Sequence, residues 1–447
     1  MNTDYTDQNM SLRSLYAEHI ASMCARFDEV LEMSGAAHAV IFSGALHYAF
    51  LDDHSYPFRP NPHFLAWAPL EKLPLSYIAY TPGERPLLVY HQPRDYWHSV
   101  PGEPSGFWPA LFDIRIVHTL ADTARHLPGA RDKCILLGEI SDSSMAFGIE
   151  RINPPTALNF LHLARGRKTE YELACMRLAS ERAVAGHRAA ETAFGNGASE
   201  FAIHQAYCKA VSQTDNELPY GNIIALNEHS AILHYTQLDR TAPSAVRSFL
   251  IDAGAQVFGY ASDITRTYDN GDNEFRALIQ RMDAMQQDIV SRVRTGLDYR
   301  ELHLETHRLL AELLVDAELA TGDAETLLAT GVTSAFFPHG LGHLLGLQVH
   351  DVAGHMQDVS GTIIDPPSGH PHLRLTRVLE ENMVVTIEPG LYFIDMLLEN
   401  LRGSPAEAHV NWQTVAAFRP FGGIRIEDDV RVLADGTENL TRNAFAL

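Results

Sequence analysis

Cysteine is scarce in this sequence: Cys24, Cys134, Cys175 and Cys208 are spread over 447 positions with no C-x-x-C pair. That spacing suggests neither a zinc knot nor a disulfide framework, and makes a cytoplasmic protein with free thiols the default reading. Positive charge is also short, with 34 Lys and Arg against 56 Asp and Glu and a net charge of −22. Nucleic acid and anionic membranes are therefore poor partners, because like charges repel, and solvated surface is the ordinary role of such acidity. No apolar run approaches a membrane span, and MNTDYTDQNMSLRSLYAEH lacks the apolar core of a secretory leader. Phosphate-cradling patterns (G-x-G-x-x-G, G-x-x-x-x-G-K-[ST]), a G-x-S-x-G elbow and H-E-x-x-H are all missing. What remains is an ordinary globular balance, 46% apolar and 20% charged, in a chain long enough for two cores.

The first part reads as an α/β domain over residues 1–165. Leu12, Leu15, His19, Ile20, Met23, Phe27, Val30 and Leu31 recur at helical spacing. Five β-rich runs follow at 38–42, 76–80, 86–90, 113–117 and 134–140, punctuated by turn signals such as TPGERP. Asp52, Asp53 and His98 are weak signals by themselves and read as turn or surface residues. The boundary falls near Arg165-Gly166-Arg167-Lys168, after which Thr169 and Glu172 form a T-x-x-E capping box opening a long helix that stops by Gly195 and Gly197. Residues 166–447 mix helices, at 273–293 and 299–315, with candidate hairpins, one around Asn227-Glu228 and one in SFLIDAGAQVFGYASDITRTY. This predicts an α+β domain with a curved antiparallel sheet.

Five residues in unusual contexts carry the chemistry: Asp252 and Asp263 in the second hairpin, His343 in HGLGHLLGLQVHD, Glu388 in TIEPGLYF and Glu427 in FGGIRIEDDV. A hairpin centred between Val257 and Phe258 sets residue 252 opposite 263, where two unpaired carboxylates would repel unless a cation lay between them. Alternation along GIRIEDDV puts Arg425 and Glu427 on one strand face, and Pro389-Gly390 turns the chain just after Glu388. His339 and His343 are four apart, but Gly340 and Gly342 disfavour a helix, so a glycine-rich loop gathering imidazoles, His350 included, fits better. His234 in AILHY is ambiguous alone. Four carboxylates and one imidazole suit two hard divalent ions better than one zinc, and such a pair can generate hydroxide at neutral pH and polarise a carbonyl. That set points to a metallohydrolase.

These contexts, with FLDDHSYPF, DYWHSVP, YELACMR, PYGNIIALNE, ILHY, FFPHGLGH, GLQVHD and PFGGIRIED, resemble the pita-bread metallopeptidases, the family of methionine aminopeptidase, Xaa-Pro aminopeptidase and prolidase. Within it they are most similar to bacterial Xaa-Pro dipeptidases, a subgroup that includes organophosphorus acid anhydrolases; the resemblance covers nearly the whole chain. It implies hydrolysis of Xaa-Pro dipeptides, a side activity on organophosphate triesters, and two divalent ions, with the oxygen-rich ligand set favouring Mn2+. Asp252 would bind the first ion, Asp263 and Glu427 bridge both, and His343 and Glu388 complete the second. His234, His339, His350 and Arg425 match substrate-contacting positions, and Glu388 would also carry the proton to the leaving nitrogen. Leu344 stands where some relatives have a second histidine. A homodimer is implied, its N-terminal domains closing the partner's active site with the Asp53 loop. The alternatives are an Xaa-Pro aminopeptidase acting on longer peptides and an inactive binding module, which bound metal would distinguish from the enzymes.

Overall fold

The apolar stripe of the first helix, Thr3–Ser34, is buried at Leu12, His19, Ile20, Met23, Phe27, Val30 and Leu31, with Leu15 half-buried at its edge. The computed structural model describes residues 3–447, with side chains from Leu12 onward; the first two residues of the stretch read for a leader lie outside the described ones. Beside this helix stands a mixed five-stranded sheet of β1 (His38–Phe42), β2 (Tyr77–Tyr80), β3 (Leu87–His91), β4 (Asp113–Val117) and β5 (Cys134–Leu137) in the order β4-β3-β2-β1-β5. The β1–β5 and β3–β4 pairs are parallel. The fifth run stops at Leu137, earlier than its composition predicts, because the Asn153 side chain takes both backbone groups of Gly138.

The chain divides into one unit running through Cys175 together with Asp358–Thr362, and a second of Met176–Gln357 and Ile363–Leu447. Helix Glu170–Gly195 opens with the capping box: the Thr169 N–H donates to Glu172 Oε2 at 2.8 Å, and the Glu172 N–H donates to Thr169 Oγ1 at 3.4 Å.

Every ladder of the second unit is antiparallel. Its strands are β6 (Ile223–Leu226), β7 (Ser248–Asp252), β8 (Gln256–Val257), β9 (Tyr260–Ala261), β10 (Thr265–Asp269), β11 (Val384–Ile387), β12 (Gly390–Tyr392), β13 (Gly423–Arg425), β14 (Asp428–Val432) and β15 (Thr437–Asn439). Helices Asn273–Arg292 and Tyr299–Asp316 pack through Phe275, Met282, Ile289, Leu310 and Leu314 into the core that backs β11, β12, β13 and β14.

Two local expectations are corrected. The second hairpin turns at Phe258-Gly259, both at positive φ (54° and 85°), so Asp252 pairs with Thr265 and not with Asp263. A two-residue turn of this hand needs φ > 0 at both positions, and Gly259 supplies the second without steric cost, which shifts the register by two residues. An even shift keeps Asp263 on the face of Asp252. The Asn227-Glu228 hairpin does not form: after β6 the chain enters a 3-10 turn, Asn227–Ala231, and β7 takes the place of partner. Asn227, at φ 55°, uses its side chain to bind Ala245 O and the N–H of Arg247, an alternative to strand pairing.

Candidate metal and substrate site

Three strand segments lie side by side at the floor of the site. Asp252 ends β7 opposite Thr265, the first residue of β10, and Thr265 bridges in turn to Glu427 between β13 and β14. The loop after Pro338 completes the set by running antiparallel to β11. Leu341 O accepts from the Glu388 N–H at 2.9 Å, His343 O from the Thr386 N–H at 3.0 Å, and Val384 O from the Leu345 N–H at 3.0 Å. This pairing puts His343 and Glu388 on adjacent rungs, and Thr386 Oγ1 accepts from the His343 N–H. A Cβ on Gly342 would collide with Thr386 O and the Tyr299 hydroxyl, so the close approach of loop to strand requires glycine there.

The side chains converge on one cavity of about 680 Å³ lined by Asp252, Asp263, His343, Glu388 and Glu427 together with His234, His339, His350 and Arg425. One ligand-type atom each from Asp263, His343 and Glu427 lies within 4.8 Å of the others, and all three residues are buried. His343 Nε2 is 3.5 Å from Asp263 Oδ2 and 3.6 Å from Glu388 Oε1. Its Nδ1 lies 3.0 Å from Leu344 O, a carbonyl that can only accept; the ring therefore protonates there and turns Nε2 to the carboxylates, the orientation of a metal-ligating imidazole.

The electrostatics are those of a site built for cations. Burial raises the carboxyl of Asp252 despite the neighbouring Arg425, and burial with Asp263 and Glu388 alongside raises Glu427 well above the carboxylate range. Glu388 is pushed up to about 7 by burial, against the pull of His343 and Arg425. Burial also opposes ionisation of Asp263, but hydrogen bonds with His343 and Tyr220 hold it low. Burial would lower His343, yet Asp263 and Glu388 raise it. His339 and His350 are driven the other way, to about 3 and about 4, chiefly by burial and then by Arg425 and His343 respectively. Burial thus favours the protonated form of Asp252, Glu388 and Glu427, and divalent ions would displace those protons; the donor set fits such ions.

Two sequence-family models cover the chain: "Xaa-Pro dipeptidase, N-terminal domain" over residues 14–163 and "Metallopeptidase family M24" over residues 174–434. An Xaa-Pro dipeptidase of Xanthomonas campestris pv. campestris is 55% identical, over 98% of this chain and 99% of that one. The chain belongs to the Xaa-Pro dipeptidases of metallopeptidase family M24. An Xaa-Pro dipeptidase of Stenotrophomonas maltophilia is 53% identical to this M24 chain, over 97% of it and 98% of the relative. Aminopeptidase P from E. coli with the inhibitor Pro-Leu superposes with a TM-score of 0.71 at 24% identity, covering 97% of this chain and 95% of that one, and so shares the pita-bread fold.

In this M24 chain the sequence missed the residues that hold the others in place. The Tyr220 hydroxyl lies 2.8 Å from Asp252 Oδ1 and 2.5 Å from Asp263 Oδ1, and Thr265 Oγ1 donates to Glu427 Oε2 at 2.6 Å. The Tyr392 hydroxyl lies 2.8 Å from both His339 Nε2 and Arg425 Nη1. Tyr220 and Tyr392 sit inside motifs already singled out, PYGN and GLYF, but a lone tyrosine carries no ligand-type signal. Arg425 is more committed than its strand position suggests. Nε reaches Thr265 Oγ1, Nη1 Tyr392 and Nη2 Asp252 Oδ2 at 2.7 Å, leaving two of its five N–H groups for anything else. Arg374, exposed at the cavity, is a second guanidinium that the sequence did not flag. Leu344 points away from the chemistry and is fully buried in the hydrophobic core. Asp53 is an exposed loop residue whose N–H donates to Asp52 Oδ1, and His98 pairs with Asp95 on the surface.

Proposed function

We propose that this cavity hydrolyses Xaa-Pro dipeptides at a pair of divalent ions held by Asp252, Asp263, His343, Glu388 and Glu427, with Asp263 and Glu427 shared between the ions. The convergence of four carboxylates and the Nε2 of His343 on one buried cavity carries the reading. The two relatives named Xaa-Pro dipeptidase support the substrate class. When bound, the ions acidify water and polarise the scissile carbonyl. An Xaa-Pro bond is a tertiary amide without N–H, so a site that works on the carbonyl side has no donor to lose. His234, His339 and His350 face the developing oxyanion or anchor the peptide. Arg425 offers its two remaining N–H groups to the prolyl carboxylate with a histidine beside it, and Glu388 takes a proton and returns it at the departing proline nitrogen. Oxygen-dominated ligation favours Mn2+. The same cavity would accept small organophosphate triesters as a side reaction. The four separate free cysteines support a cytoplasmic setting.

The test is direct. Proline release from Ala-Pro should vanish after chelation and return with Mn2+; a protein carrying two metal equivalents that leaves Ala-Pro intact would sink the reading.

The same proposal extends to assembly as a homodimer in which the Asp53 loop of one protomer closes the cavity of its partner. Phe50 and Leu51, adjacent apolar side chains next to that loop, are 90% and 91% exposed, surface that a partner protomer would cover. Sedimentation across a dilution series should show a dimer, with activity falling as it dissociates. A fully active monomer would rule the arrangement out.

A further inference from the structure

A second group of imidazoles stands behind the wall that carries His339. His303 and His307 lie one turn apart on helix Tyr299–Asp316, and His370 meets them from a turn pinned by its own N–H to Pro367 O. One ring nitrogen from each lies within 4.8 Å of the others, and the ring centroids are 4.8, 4.7 and 4.4 Å apart. His303 is 1% exposed and His307 fully buried.

Their hydrogen bonding is what sets them apart. Among the described residues neither ring nitrogen of His303 has a partner, nor has Nε2 of His307, although buried polar groups are nearly always paired. The other nitrogen of His307, Nδ1, lies 3.1 Å from Thr333 Oγ1, which fixes the ring and leaves Nε2 as its available nitrogen. Burial, then the neighbouring imidazoles, hold His303 and His307 neutral, with pKa values of about 2 and about 3. Neutral imidazoles with free lone pairs are what a metal ion needs. A small cavity of about 230 Å³ lined by His303, His339 and His370 gives an entry path, and His370 is only half-buried.

We propose that His303, His307 and His370 form a third metal site, chemically distinct from the catalytic pair and suited to a borderline transition ion such as Zn2+. Two histidines four apart on a helix present their rings on one face, and a third from a loop completes a three-nitrogen set. Water or a small anion from the cavity takes the fourth position, since three neutral ligands leave the ion's charge uncompensated. All-nitrogen ligation separates this site from the carboxylate-rich one, which prefers harder ions. An ion here would tie helix Tyr299–Asp316 to the turn whose next residues, Pro371, His372 and Leu373, line the main cavity. Zinc would thus stiffen a wall of the substrate site without touching the substrate.

Full-length protein loaded with Mn2+, dialysed against Zn2+ and analysed for metal, tests the site. Wild type should hold one more zinc equivalent than His370→Ala, a change at a half-exposed turn that leaves the core intact, and the same difference should appear with His307→Gln. Because the comparison is between variants, zinc exchange at the catalytic pair cancels. Cobalt titration should give the strong visible absorption of a four-coordinate ion in wild type and lose it in His370→Ala. Equal metal content and equal cobalt spectra in wild type and His370→Ala would overturn the proposal. Ala-Pro turnover of the same samples reports on the dipeptidase reading separately.

Discussion

Asp263→Asn and Glu427→Gln should each abolish turnover and lower metal content, the largest effect expected of any substitution in the chain. Each removes one negative charge that the proposed centre shares between both ions. The amide that replaces it keeps the size of the side chain and loses most of its attraction for a hard cation. Several kcal/mol of charge stabilisation are at stake, on the order of a thousandfold or more in rate. The structure adds a control. Thr265 Oγ1 is bound to Glu427, while Asp429 accepts from the Asp263 N–H, so each position is supported by a neighbour that can be varied without changing ligand charge. Thr265→Val should weaken metal binding far less than Glu427→Gln. Near-normal turnover with full metal occupancy in either carboxamide variant would remove the bridging assignment.

The second large effect concerns the length of the substrate. If Arg425 and a neighbouring imidazole bind the C-terminal carboxylate, only a dipeptide sets its scissile carbonyl over the metals. Extending the chain past proline replaces an anion by an amide and adds bulk where the cavity closes. A charge-assisted contact of this type is worth about 1.5–3 kcal/mol, roughly ten- to a hundredfold in kcat/KM. Ala-Pro should therefore be cleaved well and Ala-Pro-Ala poorly. Arg425→Lys should harm the dipeptide more than a neutral phosphotriester. Because Arg425 also holds Asp252 and Tyr392, its metal content must be measured alongside: a loss of metal would depress both substrates together, whereas a loss of the carboxylate contact alone would separate them. Tripeptides turning over as fast as dipeptides would put the aminopeptidase reading in its place.

Much of the site was legible because its residues are chemically conspicuous: buried-looking acids inside apolar runs, and histidines among glycines that forbid a helix. The five strands of the first sheet were legible as β-rich runs between turn signals, and the helices at 273–292 and 299–316 from their helical spacing. What escaped depends on contacts between distant segments. The register of the Asp252 hairpin turned on which residue tolerates positive φ, and the pairing of the His343 loop with β11 leaves no local pattern. The commitments of Tyr220, Tyr392 and Arg425 come from side chains meeting across the fold. The His303–His307 spacing stood in the sequence all along, but His370 joins it only through the chain's return more than sixty residues later.

That dispersal governs how the molecule comes together. The proposed ligands run from Asp252 to Glu427, on β7, on the segment before β10, on a loop, after β11 and between β13 and β14. Pairings so far apart in sequence must pay the entropy of closing large loops before any contact rewards them. No partial chain ending before β13 can assemble the complete set, so tight cation capture becomes a late event, available only to polypeptide that has finished threading its last strands. Ions that bind only the finished arrangement stabilise it by mass action. Loss of such ions would therefore loosen the second unit's strand framework as well as silence its chemistry.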